Sequence, residues 1–248
     1  MNIGNQYIFK GSESGYTSQT GPTALSPATR TLQQVLDEHV SVRDFGALGD
    51  GATDDTAAIQ RAIDQIYFGG FALNQPKLRR VIHFPPGVYL ISTSIKLPAY
   101  VFLTGAGQER TTIRQTSSTA PVLQLKDSSN QVDALYGNLG AQTAINVTIA
   151  DMTLQHLGSK NVVQLDTCDG IDFFRVTMRG SKAAANAATV PNTQSAVYAV
   201  PTTPAYGNVN NVRFIDCTFR NTTYGLLLNA TNIKIIGCDF NDMSRGLW

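Results

Sequence analysis

Three aspartates near the end of the chain are the side chains whose type and spacing come closest to acid–base chemistry. Asp239 and Asp242 are close in sequence, and Asp216 lies at a predicted bend. Two carboxyl groups about 5–5.5 Å apart permit retaining hydrolysis of a glycosidic bond, and about 6.5–9.5 Å permits inverting hydrolysis. These aspartates belong to a repeating pattern of strands in which no two carboxylates occupy equivalent outward-facing positions of neighbouring repeats. A role in a turn or at the surface is therefore favoured for each of them. The sequence therefore identifies no catalytic pair among these three aspartates.

A polysaccharide lyase would instead need a base such as lysine or arginine beside the sugar. Arg213 and Lys234 occupy equivalent positions of neighbouring repeats, but a solvated surface explains them equally well. The three histidines form no recognisable triad with a serine; they are His39, His83 and His156. Hydrolase, lyase and non-enzymatic roles therefore all stay open.

A second group of carboxylates precedes a predicted helix. Asp54 and Asp55 lie where the helix begins, and Asp50 lies in the preceding Gly-Asp turn. Carboxylates at a helix start accept hydrogen bonds from free backbone N–H groups and oppose the positive end of the dipole. The loop lacks the spacing of a calcium loop and its closing bidentate glutamate, so capping is favoured over a cation site. We expect no metal and no other cofactor. The predicted buried face of the helix contains Ile59, Ala62, Ile63 and Ile66.

A repeat of four segments that align without gaps positions the later residues. The segments begin at Asn146, Gly170, Asn211 and Asn232. In each segment, the residues one, three, six and eight positions later are nearly all apolar. A spacing of two indicates one strand with alternating faces, whereas the gap of three indicates a corner followed by a second strand. A third strand precedes each later segment, at residues 162–165, 197–200 and 226–228.

Repeats of 21 to 24 residues bury a continuous core only by stacking on their neighbours. The sequence therefore predicts an all-β fold, a right-handed parallel β-helix with three strands per coil and a short helix at its start. Side chains at equivalent outward positions of successive coils form columns. The first predicted outward column contains Thr148, Asp172, Arg213 and Lys234, and the second contains Thr153, Thr177, Thr218 and Asp239.

Cysteine usage indicates a reduced core. The three cysteines, of which Cys168 is the first, lack metal-ligand spacing. Cys217 and Cys238 fall one coil apart in the same predicted inward column, beside Met152 and Val176. A reduced column is favoured over a disulfide, and folding in a reducing cytoplasm is the simplest interpretation.

One coil of the repeat is enlarged. The step from Gly170 to Asn211 contains two excursions, at residues 181–195 and 201–210. Loops on a rigid scaffold often carry recognition. Candidates for contacts with a sugar are Tyr198, Tyr206, Asn192 and Gln194, and an ordinary surface loop is the alternative for each of them.

Residues 1–30 are polar and show no sustained periodicity. They fit an arm that becomes ordered on a partner, and a flexible terminus fits equally well. The candidate docking residues are Tyr7, Ile8, Phe9 and Tyr16.

A short helix is predicted after this arm. Thr31 and Gln34 fit a capping box, and an apolar stripe follows. The stripe contains Leu32, Val35, Leu36 and His39. Because so short a helix is marginal alone, it must pack either on the domain or with two other copies around an axis, as a trimer neck.

Composition excludes several classes of partner. Charged residues make up 15% of the 248 residues and the formal net charge is +1, so no global field would attract nucleic acid or a membrane surface. We see no secretion signal and no apolar run near the length of about 20 residues that membrane insertion needs.

Three stretches resemble the pectate-lyase-like β-helix domain of bacteriophage tailspikes and related depolymerases. They are SVRDFGALGDGATDDTAAIQRAID at residues 41–64, VIHFPPGVYLI at 81–91 and FLTGAGQERTTI at 102–113. The resemblance implies homotrimers on the virion tail and a β-helix that binds, and often cleaves, bacterial surface polysaccharide. It also implies that the GDG-x-TDD block is structural, and it transfers no catalytic motif to this sequence. In this family the catalytic carboxylates usually lie on later coils or between subunits, so the resemblance implies that those of a full-length parent lie beyond Trp248.

The resemblance divides the chain into residues 1–40, a virion-attachment arm with a neck helix that would bind a phage tail or baseplate protein, and residues 41–248, the β-helix domain. Residues 246–248 match 225–227, so we expect the domain to stop inside a coil and the chain to be part of a longer one. Three functions remain: a depolymerising tailspike, a non-enzymatic structural or receptor-binding virion protein, and a free polysaccharide lyase.

Overall fold

The computed structural model describes residues 6–7, 30–36, 38–68, 80–125, 144–166, 168–181, 194–199 and 209–247. The chain divides into two compact units, residues 1–40 and 41–248. In the first unit, strands β1 (Gln6–Tyr7) and β2 (Arg30–Thr31) form an antiparallel pair, and α1 (Leu32–Leu36) follows directly.

The capping box predicted for α1 is confirmed. The backbone N–H of Thr31 donates to Oε1 of Gln34 at 2.8 Å, and the N–H of Gln34 donates to Oγ1 of Thr31 at 3.1 Å. The helix is shorter than the predicted stripe, since it ends at Leu36 and His39 lies in the turn that follows. Leu32 and Leu36 are each 55% exposed.

The second unit begins with a compact series of short elements. They are β3 (Val40–Ser41), which spans the boundary between the units, a 3₁₀ turn (Val42–Phe45), β4 (Asp50–Asp54), α2 (Thr56–Ile63) and a π-helical turn (Asp64–Phe68). None of the helices in the described ranges is long and apolar enough to cross a membrane.

The buried face of α2 is confirmed except at its end. Ile59, Ala62 and Ile63 are buried, whereas Ile66 is only half-buried. Since a π turn is wider than an α turn, the face rotates after Ile63 and Tyr67 is buried instead. The hydroxyl of Tyr67 accepts a hydrogen bond from the backbone N–H of Phe102 at 3.0 Å.

The strands that follow form three parallel faces. The first face contains β5 (Val81–Phe84), β8 (Phe102–Gly105), the first halves of β11 (Ala144–His156) and β13 (Cys168–Arg179), β15 (Val209–Ile215) and β18 (Ala230–Ile236). The second face contains β4, β6 (Gly87–Ile91), β9 (Thr111–Gln115), the second halves of β11 and β13, β16 (Thr218–Arg220) and β19 (Asp239–Asn241). The third face contains β7 (Ile95–Lys96), β10 (Leu123–Leu125), β12 (Val163–Leu165), β14 (Ser195–Ala199), β17 (Tyr224–Leu228) and β20 (Arg245–Leu247). Because each coil adds one strand to each face, the predicted right-handed parallel β-helix is confirmed.

Two columns of left-handed residues mark the corners beside the first face, with φ between 49° and 70°. One column contains Asn146, Gly170, Asn211 and Asn232, and the other contains Asp151, Arg175, Asp216 and Gly237. Asparagine, aspartate and glycine tolerate this conformation, which explains the gap of three in the repeat. Arg175 is held there by a bidentate ion pair with Asp151, at 2.6 and 2.8 Å.

Stacked apolar columns form the core. The rings of Phe173 and Phe214 stack with their centroids 5.2 Å apart, and both side chains are fully buried. The rings of Phe219 and Phe240 stack at 4.9 Å in the neighbouring column. Each fully buried side chain of this size contributes about 1.5–3 kcal/mol by removal of apolar surface from water.

Cys217 and Cys238 lie in one column with Met152 and Val176, as predicted, and both are free thiols. Each Sγ donates to a backbone carbonyl of the preceding coil at 3.4 Å. Burial raises the pKa of the Cys217 thiol to about 12, so this cysteine is an unreactive core residue.

Candidate functional site

The first predicted outward column is confirmed by the strand register. Thr148 pairs with Asp172, Asp172 with Arg213, and Arg213 with Lys234, on β11, β13, β15 and β18. Successive side chains are therefore one strand spacing apart, about 4.8 Å. Phe102 on β8 pairs with Thr148 and extends the column by one coil.

An open groove of about 660 Å³ follows this column. Most of its lining side chains are polar or charged. They are Asn146, Thr148, Gly170, Asp172, Asn211, Arg213, Asn232, Ile233 and Lys234. The groove therefore joins the outward column to the neighbouring column of left-handed corner residues.

An ion pair lies at the centre of the groove. Nε and Nη2 of Arg213 donate to the two carboxylate oxygens of Asp172, each at 2.5 Å. These hydrogen bonds raise the pKa of the Arg213 guanidinium, so Arg213 stays charged and is unsuited to act as a lyase base. Lys234 is exposed and forms no ion pair within the described ranges. The ammonium group of Lys234 is therefore the uncompensated positive charge of the groove.

Side-chain amides hold one edge of the groove. Nδ2 of Asn211 donates to Oδ1 of Asp169 at 2.6 Å, and Nδ2 of Asn232 donates to Oδ1 of Asn211 at 3.2 Å. Asn211 thus uses both its amide nitrogen and its amide oxygen within the protein, each in one hydrogen bond, whereas Asn232 uses only its nitrogen. Each amide keeps further hydrogen-bonding capacity for solvent or a ligand.

The three candidate catalytic aspartates are not brought together. Asp239 lies on β19, Asp242 follows that strand, and Asp216 lies at the corner between the first and second faces, packed on Gly237. Within the described coils, no two carboxylates are neighbours in one outward column. The pair of facing carboxyl groups that glycoside hydrolysis requires is not formed by these residues.

The four candidate sugar contacts have different outcomes. Tyr198 lies half-exposed on β14 and points outward between Gln164 and Leu227 of the neighbouring coils. Tyr206 and Asn192 lie outside the described residues.

Gln194 is fully buried, so the structure removes it from the sugar contacts. Its Nε2 donates to the carbonyl oxygens of Gly158 and Lys160, both at 2.9 Å, and its Oε1 accepts from the N–H of Ser181 at 3.2 Å. From inside the coil, the Gln194 side chain thus links the turn at residues 158–160 to the segment at Ser181. A buried amide with these partners is a structural group, because its exposure would leave three backbone groups unpaired.

His156 is also an internal structural group. Nδ1 accepts from the N–H of Gly158 at 2.9 Å, so the ring proton is on Nε2 and is donated to the carbonyl of Ala120, also at 2.9 Å. Burial lowers the pKa of this imidazole, which is therefore neutral at pH 7.

The carboxylates before α2 stabilise turns. Asp54 accepts from the N–H of Thr56, the first residue of α2, at 2.9 Å, as predicted. Asp55 forms no side-chain cap, contrary to expectation, because its carboxylate is buried and accepts from the N–H groups of Leu48 and Gly49 at 2.7 and 3.0 Å. Among the residues described, no group of His, Cys, Asp and Glu is placed to hold a metal ion.

Residues of the predicted arm and neck fall partly outside the described ranges. Ile8, Phe9 and Tyr16 lie outside them, and Tyr7 is described only as part of β1. Leu32, Val35 and Leu36 form α1, with the two leucines exposed.

Two outward columns were missed in the sequence. The fourth residue after each segment start forms one of them, which contains Ala150, Phe174, Ile215 and Ile236. The ninth residue forms the other, which contains Gln155, Arg179, Arg220 and Asn241. The same alignment that revealed the core contains both columns.

Comparisons with known proteins agree with this fold. The profile of the family described as rhamnogalacturonase A/epimerase, pectate lyase-like, matches residues 39–247. The pre-neck appendage protein of Bacillus phage phi29 is 39% identical over 126 residues, which is 49% of this chain and 12% of that protein. Mannuronan C5-epimerase AlgE3 of Azotobacter vinelandii is 31% identical over 121 residues, which is 46% of this chain and 6% of that enzyme.

A solved structure shows the same fold. ORF18 of Geobacillus virus E2 superposes with a TM-score of 0.51 at 24% identity, over 85% of this chain and 43% of that one. The chain thus spans a small part of the curated relatives and less than half of this structural relative. Because the family profile covers most of the sequence, the chain belongs to the rhamnogalacturonase A/epimerase, pectate lyase-like family.

Proposed function

We propose that this chain is part of a phage tail appendage and that its β-helix binds a surface polysaccharide of the host bacterium along the first-face groove. The observation that carries the proposal is the column Thr148, Asp172, Arg213 and Lys234, which presents one polar side chain per coil along an open groove. A polymer of sugar rings also presents polar groups at regular intervals. A groove lined by such a column suits an extended glycan better than a compact ligand.

The groove is rigid enough to select a ligand. Three of its four strands, β11, β13 and β15, are paired on both sides, and β18 is paired with β15. The Asp172–Arg213 ion pair fixes the two central side chains. Preorganised polar groups bind at a lower cost in side-chain entropy than mobile ones. Lys234 and the free groups of Asn211 and Asn232 supply donors and acceptors for sugar hydroxyls.

The location on a phage tail is supported by the similarity to the pre-neck appendage protein of phage phi29. Under this proposal, residues 1–40 attach the chain to a phage tail or baseplate protein, with Tyr7, Ile8, Phe9 and Tyr16 as docking residues. Leu32, Val35 and Leu36 then form the neck of a homotrimer. The exposed leucines of α1 support this role, since apolar side chains on a short helix are stabilised by packing against a partner.

Cleavage of the polysaccharide, by hydrolysis or elimination, is proposed only for a longer parent protein. The described coils contain no neighbouring carboxylates in one outward column, and Arg213 is paired with Asp172. These observations favour binding as the role of this part of the chain. A non-enzymatic receptor-binding protein is therefore the alternative, and a free lyase is the second alternative.

A binding measurement with matched variants tests the proposal. Polysaccharide extracted from the host strain is titrated into the chain, and Lys234→Ala and Asn232→Ala are compared with Lys160→Ala, an exposed lysine in a turn outside the groove. We expect binding to the wild type and to Lys160→Ala, and at least a severalfold loss in the two groove variants. Equal binding by all four proteins would contradict the proposal.

A further inference from the structure

The second face carries a column of arginines on its outer side. Arg114 pairs with Gln155, Gln155 with Arg179, and Arg179 with Arg220, on β9, β11, β13 and β16. The neighbouring outward column contains Thr112, Thr153, Thr177 and Thr218. Thr112, Thr153 and Thr177 are buried, so the second face presents to solvent a strip of half-exposed arginines, whereas the whole chain has a net charge of only +1.

The positive charge of this strip is only partly neutralised. Arg220 forms an ion pair with Glu109, from the turn between β8 and β9. Arg114 donates to the neutral amide of Gln155 at 2.8 Å, and the side chain of Arg179 has no hydrogen-bond or ion-pair partner within the described part of the chain. Two of the three guanidinium groups therefore lack a counter-charge.

The remaining carboxylates on this face do not supply one. Asp50 and Asp54, on β4, accept hydrogen bonds from nearby N–H and hydroxyl groups. Asp239 lies in the threonine column on β19, one coil beyond Arg220. Like charges directly opposite one another on neighbouring strands are unfavourable, and Arg179 lies directly opposite Arg220. A bound anion would remove that repulsion.

The ion pair between Glu109 and Arg220 shows that an arginine of this column binds a carboxylate. The carboxylate of Glu109 binds the guanidinium of Arg220, and its backbone N–H donates to Oγ1 of Thr153 at 3.0 Å, so this residue lies across the strip. An external carboxylate or phosphate placed beside Arg179 or Arg114 would find the same donors. Arginine matches both anions in a bidentate geometry.

We propose that the strip formed by Arg114, Arg179 and Arg220 binds the acidic groups of an anionic glycan. A glycan is favoured over an acidic protein because the column that carries the strip consists of Arg and Gln side chains, without the apolar anchors on which protein interfaces depend. It is favoured over single-stranded nucleic acid because the strip has no aromatic side chain on which a base could stack. The inference rests on the proposed function only in taking a surface glycan as the ligand, since the strip and the groove are on different faces.

Binding of anionic and neutral polymers to the full chain tests this proposal. The probes are polygalacturonate, its fully methyl-esterified neutral form and long-chain inorganic polyphosphate, and binding is measured at low and high salt. We expect polygalacturonate or polyphosphate to bind with an affinity that falls as salt rises, and the neutral ester to bind much more weakly. Equal binding of polygalacturonate and its ester, or no binding of either anionic polymer, would overturn the proposal.

Variants assign the binding to a face. Arg179→Gln should weaken binding of the anionic polymer about threefold, and Arg114→Gln with Arg179→Gln about tenfold, at an unchanged unfolding midpoint. Lys160→Gln is the charge-matched control and should bind as the wild type does. A loss in Lys234→Ala with none in Arg179→Gln would overturn the strip and leave the groove standing. Stronger binding of polyglutamate or oligo(dT) than of polygalacturonate would also overturn it, because the partner would then be a protein or a nucleic acid.

Discussion

The carboxylate of Asp172 accepts two hydrogen bonds from the guanidinium of Arg213, which lies directly opposite on the next coil. The two residues are 41 positions apart in the sequence because their coil is enlarged by loops. They are nevertheless neighbours, since they occupy equivalent positions of adjacent coils. This pair fixes the centre of the groove and leaves Lys234 as its uncompensated charge. The proposed recognition of a glycan therefore depends on coil register rather than on a local motif.

Removal of the Asp172 carboxylate should have a small, salt-dependent cost. Asp172→Asn is expected to lower the free energy of unfolding by up to about 1 kcal/mol, because Arg213 is partly exposed and loses its partner. Urea unfolding at low and high salt measures the difference, which should shrink as salt screens the pair. Asp242→Asn, an exposed aspartate after β19, is the control. Indistinguishable effects of the two substitutions would count against the ion pair.

Phenylalanines on opposite sides of the first face should contribute differently to the stability of the fold. Phe214 is fully buried and Phe102 is 38% exposed on the outer side. Phe214→Ala should cost about 3–5 kcal/mol through lost burial and a cavity. Phe102→Ala should cost much less, because its side chain already contacts solvent. Similar losses in chemical unfolding would show that the inward and outward assignment is wrong.

Stability should fall in mild acid because of His156. Burial lowers the folded-state pKa of this imidazole, whereas the unfolded chain has a pKa of about 6.5. The unfolded state therefore binds more protons below pH 6.5, so the contribution of His156 is complete above that pH and is lost as the pH falls. The slope should be at most about 1.4 kcal/mol per pH unit.

Unfolding between pH 7.5 and pH 5 measures this slope. His156→Gln should flatten the curve, while His83→Gln, at an exposed position, should leave it unchanged. An unchanged slope in His156→Gln would assign the acid sensitivity to other groups.

The proposed trimer neck can be tested by measuring the molar mass of the chain in solution. Light scattering should give a trimer for the wild-type chain, and Leu32→Ser with Leu36→Ser should shift it toward monomer, because both leucines are exposed on α1. Leu157→Ser replaces an equally exposed leucine of the second unit and should not change the mass. A monomeric wild type at micromolar concentration would contradict the trimer.

The repeat predicted the coil, its corners and the Thr148–Lys234 column because alternation along a strand decides locally which side chains point inward. The role of Asp55 could not be predicted in this way. A carboxylate before a helix can cap the helix or hold the preceding turn, and the position of Leu48 and Gly49 decides between them. Sequence spacing contains no information on that distance.

Gln194 and His156 show a second limit. Both are polar residues beside turns, and the sequence placed Gln194 among the candidate sugar contacts of a surface loop. In the structure, carbonyl groups of the turns point toward the interior of the coil and these side chains satisfy them. A polar residue inside a β-helix can be recognised only when the backbone groups that need a partner are known.

A crystal structure of the chain with an oligosaccharide from the host surface polysaccharide tests binding in the first-face groove most directly. We expect a glycan lying along the first face, with sugar hydroxyls in contact with Lys234, Asn232 and Thr148. A glycan bound only on the third face beside Tyr198, or no bound glycan at a concentration that saturates the chain in solution, would contradict it.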